Sequence, residues 1–333
     1  MDEKQKIEFA QKPKNFTEPW DVAVIGSGPA SLTAAIYTTR GAASTLILGG
    51  EKWGGQLMLT TEVDNYPGFH EGIEGPDLMQ KMRKQSERFG AEFIEKNVEA
   101  VDFSKEYFEL TVGETKYLAK SVIIATGAET KWLGVPGEDR LRGRGVSSCA
   151  PCDAPFFKDK DTAVIGGGDS AMEEALVLTK YSNSITIVHR REEFRASAAM
   201  QKKVKDNKKI KVIWDTQVKE FVGEQKLEKI LLENTKTGEK SELVVDGVFV
   251  AVGHTPSTAI FKGKVELDEK GYIVVNDHTK TSTDGVFVAG DVHDYHYRQA
   301  ITAAGFGCMA GMEALKYLDE KQGNKKQETT LDK

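Results

Sequence analysis

Cys149 and Cys152 flank Ala150 and Pro151 and are followed by Asp153. The C-x-x-C spacing lets two sulfurs bond within one turn, and a cysteine near a helix N-terminus ionises more readily, so that it can attack as thiolate. Half a zinc site is the competing use of such a pair, and it needs a second C-x-x-C, C-x-x-H or H-x-x-H pair. Cys308 is solitary in GFGCMAG, and among the six histidines only His293 and His296 are closely spaced, far along the chain. A redox dithiol without a metal is therefore the reading, and Cys308 is expected to be a buried small hydrophobe. Asp153 suits an ordinary helix start, where an acid is favourable to the dipole.

Two glycine loops bring a second chemistry. A G-x-G-x-x-G/A turn between a strand and a helix lets backbone N–H groups and the helix N-terminus approach a pyrophosphate, because a Cβ would clash there. Gly26-Ser27-Gly28-Pro29-Ala30-Ser31 follows the apolar run 22–25 and precedes a helical pattern over 31–40 that ends at Gly41. Gly166-Gly167-Gly168-Asp169-Ser170-Ala171 follows 163–165 and precedes a helical pattern over 170–181. One such loop is weak support, but two in the same context, each backed by a further apolar strand at 44–48 and 184–189, imply two βαβ units and two dinucleotide folds.

The end of the second strand reads the ribose: an acid accepts from a free 2′-hydroxyl, whereas a cationic cluster accommodates a 2′-phosphate. Glu51 takes this place in the first half and suits the adenosine ribose of FAD or NAD. In the second half the stretch is His189-Arg190-Arg191-Glu192-Glu193-Phe194-Arg195, with three arginines, which favours NADP(H) over NAD(H).

These residues need elements to position them. Apolar strands running into glycine close each half, at 121–129 and 246–256, and a third version at 284–294 returns to the first fold, so the second domain is inserted into the first. Alternating stretches at 108–112 and 229–234 read as antiparallel hairpins on the face of each main sheet. The expected class is α/β, with two Rossmann-like, three-layer dinucleotide-binding domains. The expected boundaries are an N-terminal arm at 1–19, the first domain at 20–128 and 258–320, the inserted domain at 129–257 and a polar tail at 321–333. The crossings near 127–131 and 255–259 are candidate hinges.

The 333 residues allow two or three domains with real cores. With 45 basic and 51 acidic side chains, the net charge of −6 gives no pull toward nucleic acid or an anionic membrane. No signal peptide or membrane-spanning apolar stretch is read, and sparse cysteines point to a cytoplasmic protein.

On these residues the chain resembles the low-molecular-weight thioredoxin reductases, from about residue 20 to 320. The likeness extends to Gly54-Gly55-Gln56-Leu57, to Thr61-Glu62-Val63-Asp64-Asn65-Tyr66-Pro67-Gly68, and to Ala289-Gly290-Asp291 leading to Tyr297-Arg298-Gln299-Ala300. It departs in an additional Trp53, in Ser31, and in Ser257 where the family pattern has asparagine. The resemblance implies electron flow from NADPH to FAD, to a Cys149/Cys152 disulfide and on to thioredoxin, in a homodimer whose inserted domain rotates between two poses. It makes Cys152 the flavin-facing thiol, Cys149 the interchange thiol and Asp153 the acid. FAD would be held by Gly26, Ser27, Gly28, Pro29, Ala30, Glu51, Gly54, Gly55, Gln56, Leu57, Asn65, Gly127, Asp291, Arg298, Gln299 and Ala300. NADPH would be held by Gly166, Gly168, Asp169, Ser170, His189, Arg190, Arg191 and Arg195.

Four other functions are weighed against this one. A ferredoxin or flavodoxin reductase usually lacks the cysteine pair, and a disulfide-forming oxidase has little need of the arginine cluster. A peroxiredoxin-reducing relative adds an N-terminal thioredoxin-like domain, and a non-enzymatic NADP sensor does not need the flavin segment.

Overall fold

The structure, a computed structural model, describes residues 10–13, 18–60 and 62–331, so most of the expected N-terminal arm, and Thr61, lie outside the described residues. The chain divides into two compact units, Met1–Glu129 with Thr255–Lys333, and Thr130–His254.

In the first unit, β1 (Trp20–Ile25), α1 (Pro29–Arg40) and β2 (Thr45–Leu48) make the opening βαβ, with Val22 opposite Thr45 and Ile25 opposite Leu48 in parallel register. After α2 (Gly75–Arg88), β3 (Glu92–Ile94) extends the sheet beyond β2. Next come β4 (Ala100–Asp102), β5 (Phe108–Val112) and the ten-residue β6 (Thr115–Ile124). The N-terminal half of β6 pairs antiparallel with β5, and its C-terminal half runs parallel to β1, Ile25 opposite Ile124. The stretch 108–112 is thus part of the main sheet rather than a hairpin on its face: a strand this long has backbone to share between two partners.

Alternation along β1 explains its continuous apolar sequence. Val22 and Val24 pack with Ala30 and Ala34 of α1, and Ala23 and Ile25 pack with Phe108 and Leu110 on the other face. Covering both faces buries every residue of β1 but the half-buried Asp21, each large apolar side chain contributing about 1.5–3 kcal/mol.

The second unit contains β7 (Val146–Ser147), α3 (Ala150–Asp153), β8 (Asp161–Ile165), α4 (Asp169–Leu178), β9 (Ser184–Val188), β10 (Ile210–Ile213) and β11 (Gly247–Val250). These five strands form one all-parallel sheet in the order β7-β11-β8-β9-β10. The stretch 229–234 lies in a separate antiparallel sheet between Thr216–Val222 and Lys240–Val244. The helix after the glycine loop ends at Leu178, short of the expected 181, because the N–H groups of Tyr181 and Ser182 both return to the Leu178 carbonyl and close a turn.

The chain then re-enters the first unit. β12 (Val286–Val288) pairs parallel with the C-terminal half of β6, and α5 (Ala300–Leu331) packs along α1. Glycines allow that approach: a Cβ on Gly307 would lie 2.1 Å from the Ala30 carbonyl oxygen, and one on Gly311 would lie 3.1 Å from that of Ala34. α5 runs on to Leu331, where a polar tail from 321 is expected, since Lys, Glu and Gln are good helix formers and an existing helix extends without a new nucleus. Cys308, on α5, is half-exposed rather than buried, with its sulfur 4.0 Å from Met312 Sδ one turn on. Its apolar neighbours in sequence point to other faces of the helix.

Candidate active site

The first glycine loop is built around its own backbone. Gly26 has φ 123°, and a Cβ there would sit 2.1 Å from the Ala125 carbonyl oxygen, so only glycine fits. Gly28 differs: a Cβ there would meet no atom of the described residues within 4 Å, which leaves a cradle at the N-terminus of α1, with Pro29 and Ala30 as its first residues. Ser31 is fully buried and donates its hydroxyl to the Gly26 carbonyl at 2.6 Å, so serine at this place closes the turn. Ser27 Oγ donates to the Gly49 carbonyl at 2.6 Å and accepts from Gly54 N–H at 2.9 Å. It thereby draws Gly54, and the turn Gly55–Leu59 that carries Gln56 and Leu57, to the loop.

Glu51 is exposed just past β2, and its N–H donates to Asn97 Oδ1 at 3.3 Å. The additional Trp53 is absorbed locally: its ring meets Phe93 edge to face, and the Arg83 guanidinium lies over both rings. Such stacking is worth about 0.5–2 kcal/mol.

In the segment that returns to this unit, Asp291 Oδ1 is buried without a hydrogen-bond partner among the described residues, and burial, reinforced by Asp294 and opposed by Arg298, pushes its pKa up to about 7. A buried acceptor left open is a place for a ligand hydroxyl. Asp294 Oδ1 accepts the N–H groups of His296 and Tyr297, each at 3.0 Å, fixing the turn that delivers Arg298 in left-handed backbone at φ 48°. Asn65 donates to Gln299 Oε1 at 3.3 Å, bringing the 64–68 segment to the start of α5 at Ala300. Gly127 is open above its Cα, and its carbonyl accepts Ser257 N–H at 3.0 Å while the Ser257 carbonyl accepts Thr126 Oγ1–H at 2.8 Å. Serine at 257 acts here through its backbone. The cradle at Gly28, the open acceptor on Asp291 and the α5 N-terminus suit the pyrophosphate, ribityl and isoalloxazine portions of a flavin dinucleotide.

In the second unit Gly168 is again open, at the N-terminus of α4 where Asp169 and Ser170 begin. His189 is placed differently from Arg190, Arg191 and Arg195. Its ring is buried beneath Gly167, where a Cβ would meet it at 2.2 Å, and Nε2 is 2.9 Å from the Glu193 carbonyl. Burial holds its pKa below the usual range, and neutral imidazole supports the loop from below. The three arginines are exposed. Their segment is tied to the loop, since the Gly167 carbonyl accepts the N–H groups of Arg195 and Ala196, and Asp169 Oδ1 accepts both the N–H and hydroxyl of Ser197.

Cys149 and Cys152 form a disulfide with Cα atoms 5.3 Å apart across the first turn of α3. Ser147 Oγ accepts the Cys149 N–H at 3.1 Å and donates to Asp153 Oδ2 at 2.5 Å. Burial raises the Asp153 pKa, and the Ser147 hydrogen bond opposes the rise. Glu174 Oε2 accepts the Ala150 N–H. Ser147 and Glu174 are functional candidates that motif reading misses, and the only sequence signal is an acid pair inside the apolar helix AMEEALVL.

Two nucleotide-type loops and a disulfide-forming cysteine pair on one chain define a two-dinucleotide-fold redox protein. A model of the pyridine nucleotide-disulphide oxidoreductase family matches residues 20–307, and the chain belongs to that family. It is 54% identical over 301 residues to a thioredoxin reductase of Streptomyces coelicolor, covering 90% of this chain and 94% of that protein. It is 50% identical over 302 residues to one of Mycolicibacterium smegmatis, covering 90% and 97%. Among solved structures, thioredoxin reductase from Giardia duodenalis superposes with a TM-score of 0.88 at 41% identity, covering 91% of this chain and 99% of that one.

Proposed function

We propose that this chain is a thioredoxin reductase, passing two electrons from NADPH through FAD to the Cys149–Cys152 disulfide and on to the disulfide of thioredoxin. The single observation that carries the reading is that disulfide, set in the same unit as the second glycine loop and its arginines. Gly26, Ser27, Gly28, Pro29, Ala30 and Glu51 would hold the adenosine diphosphate end of the flavin. Gly54, Gly55, Gln56, Leu57, Asn65, Gly127, Asp291, Arg298, Gln299 and Ala300 would hold the rest. When bound, the flavin supplies the step between hydride and dithiol chemistry.

Gly166, Gly168, Asp169 and Ser170 would receive the NADPH pyrophosphate, and Arg190, Arg191 and Arg195 its 2′-phosphate, with His189 positioning the loop. The unit 20–128 with 258–320 is then the FAD domain and 129–257 the NADPH domain, and the crossings between them are where alternation of the two half-reactions would hinge. In the exchange, Cys149 attacks a thioredoxin sulfur to form a mixed disulfide while the other thioredoxin sulfur leaves as thiolate. Cys152 then attacks Cys149, re-forming the pair and releasing the second thioredoxin sulfur, and Asp153 supplies a proton to a leaving sulfur.

The protein is proposed to work as a cytoplasmic homodimer; no helix among the described residues is long and apolar enough to cross a membrane. The test is the visible spectrum of the purified protein, which should show bound flavin that NADPH bleaches and oxidised thioredoxin restores. Protein without flavin, or flavin that thioredoxin does not reoxidise, overturns the proposal.

A further inference from the structure

Glu174 lies on α4, the helix that begins at the second glycine loop, yet its side chain reaches the cysteine turn. Oε2 accepts the backbone N–H of Ala150, the residue directly after Cys149. The preceding amide, Cys149 N–H, is taken by Ser147 Oγ at 3.1 Å. Amide donors at the start of such a turn are groups that stabilise an ionised cysteine, and here both are already engaged. The carboxylate also brings a negative charge beside the turn, and a like charge disfavours a second anion nearby.

We propose that Glu174 is the positioning residue of the redox pair. By holding the Ala150 peptide it sets the direction in which Cys149 is presented, and by its charge it disfavours the Cys149 thiolate in the reduced form. Reduction of the disulfide breaks the S–S bond and adds two electrons and two protons, giving two thiols. A group that stabilises a thiolate stabilises the reduced side and makes the disulfide more oxidising, as a comparison of dithiol proteins shows. Glu174 acts in the opposite sense and makes the pair a stronger reductant, which is the direction needed to drive electrons toward a second disulfide. This inference rests on reading Cys149 and Cys152 as the redox pair of a thioredoxin reductase.

The test reads the pair directly. Flavin-loaded protein is equilibrated without oxygen at pH 7 in buffers of reduced and oxidised dithiothreitol, free thiols are trapped with an alkylating reagent, and the dithiol fraction is counted by mass. Glu174→Gln keeps an oxygen able to accept the Ala150 N–H and removes the charge. It should shift the equilibrium constant toward the dithiol by about three- to tenfold, tenfold being about 30 mV for two electrons. Glu174→Ala removes charge and acceptor together, and should also speed hydrogen exchange at the Ala150 amide, which the glutamine variant should not. An equilibrium constant within twofold of wild type in Glu174→Gln overturns the charge role, and unchanged Ala150 exchange in Glu174→Ala overturns the positioning role. Neither measurement uses NADPH or thioredoxin. A wild-type protein that fails to reduce thioredoxin therefore counts against the functional reading, while an unshifted dithiothreitol equilibrium counts against the Glu174 assignment.

Discussion

The Ser147 hydroxyl donates to Asp153 Oδ2 at 2.5 Å, so the residue two before the cysteine pair controls the acid directly after it. Burial pushes the Asp153 carboxyl toward its protonated form, and Ser147 moderates that push by stabilising the charged form. An acid must be protonated to act, so activity that depends on Asp153 falls as pH rises through its pKa. Ser147→Ala removes the donor, raises that pKa further, and should move the alkaline fall of thioredoxin-linked turnover to higher pH. Asp153→Asn should keep the bound flavin and both cysteines but lower turnover by about 10²–10⁴-fold. Rates across pH for both variants decide this, and an unaffected Asp153→Asn returns the residue to a plain helix start.

The two cysteines should fail in different ways. Cys152→Ser leaves Cys149 able to form a mixed disulfide that nothing resolves, so it should trap a covalent adduct with a thioredoxin lacking its own resolving cysteine and activated at its attacking sulfur. Cys149→Ser should trap none. In place of an adduct it should leave a Cys152 thiolate beside the flavin, seen as a long-wavelength absorbance. Non-reducing gels and spectra read both outcomes, and an adduct with Cys149→Ser alone reverses the roles.

Arg190 and Arg191 are exposed on a segment tied to the second glycine loop. Charge-assisted hydrogen bonds are worth about 1.5–3 kcal/mol each, so Arg190→Ala with Arg191→Ala should cut the preference for NADPH over NADH by about a hundredfold or more. The ratio of kcat/KM for the two nucleotides measures it, and an undiminished ratio would falsify the assignment of the ribose site.

Glycines 26 and 28 separate folding from binding. Gly26→Ala drives a Cβ into the Ala125 backbone and should prevent the sheet from forming normally, whereas Gly28→Ala meets nothing among the described residues. Gly28→Ala should therefore fold with a melting temperature close to that of flavin-free wild type and lose flavin, because the methyl group enters the phosphate cradle. Flavin content and thermal melts together report on each.

With its pKa raised to about 7 from an unfolded value of about 3.9, Asp291 in flavin-free protein retains, between about pH 4 and 7, a proton that the unfolded chain has released. Its contribution to stability therefore falls as pH rises through that window. Asp291→Asn abolishes the fall, so flavin-stripped variant and wild type should melt alike near pH 4, with the variant melting higher at pH 8. Equal differences at both pH values would exclude the effect.

Much of this was readable in the residues because phosphate approach forces glycines into a fixed order, and Gly26, Gly28, Gly166 and Gly168 fall at strand-to-helix turns as that order requires. The insertion was readable for a similar reason, since three strands ending in glycine are one more than two such folds need. Side-chain direction was not legible. His189 belongs by type with the arginines after it, yet it turns under Gly167 and is buried. Ser27, Ser147 and Glu174 act by bonding to backbone groups that the topology brings from 22, two and 24 residues away, and no local pattern marks such a pairing. Cys308 misled for the opposite reason: small apolar neighbours in sequence are spread around a helix, and exposure follows the face.

Because β12 pairs with β6 and α5 packs against α1, the first unit cannot complete its sheet or cover that face until nearly the whole chain has been made. The second unit has all its residues by His254. During synthesis, when domains fold as units from the N-terminal side, the order should be reversed: the inserted unit closes while β6 still waits for β12 and α1 for α5. Apolar strands left open over that interval are exposed to aggregation, and early capture of FAD has no finished site to use. Expression yield should accordingly be most sensitive to substitutions along the α1–α5 contact, at Gly307 and Gly311, and to FAD supply late rather than early in translation.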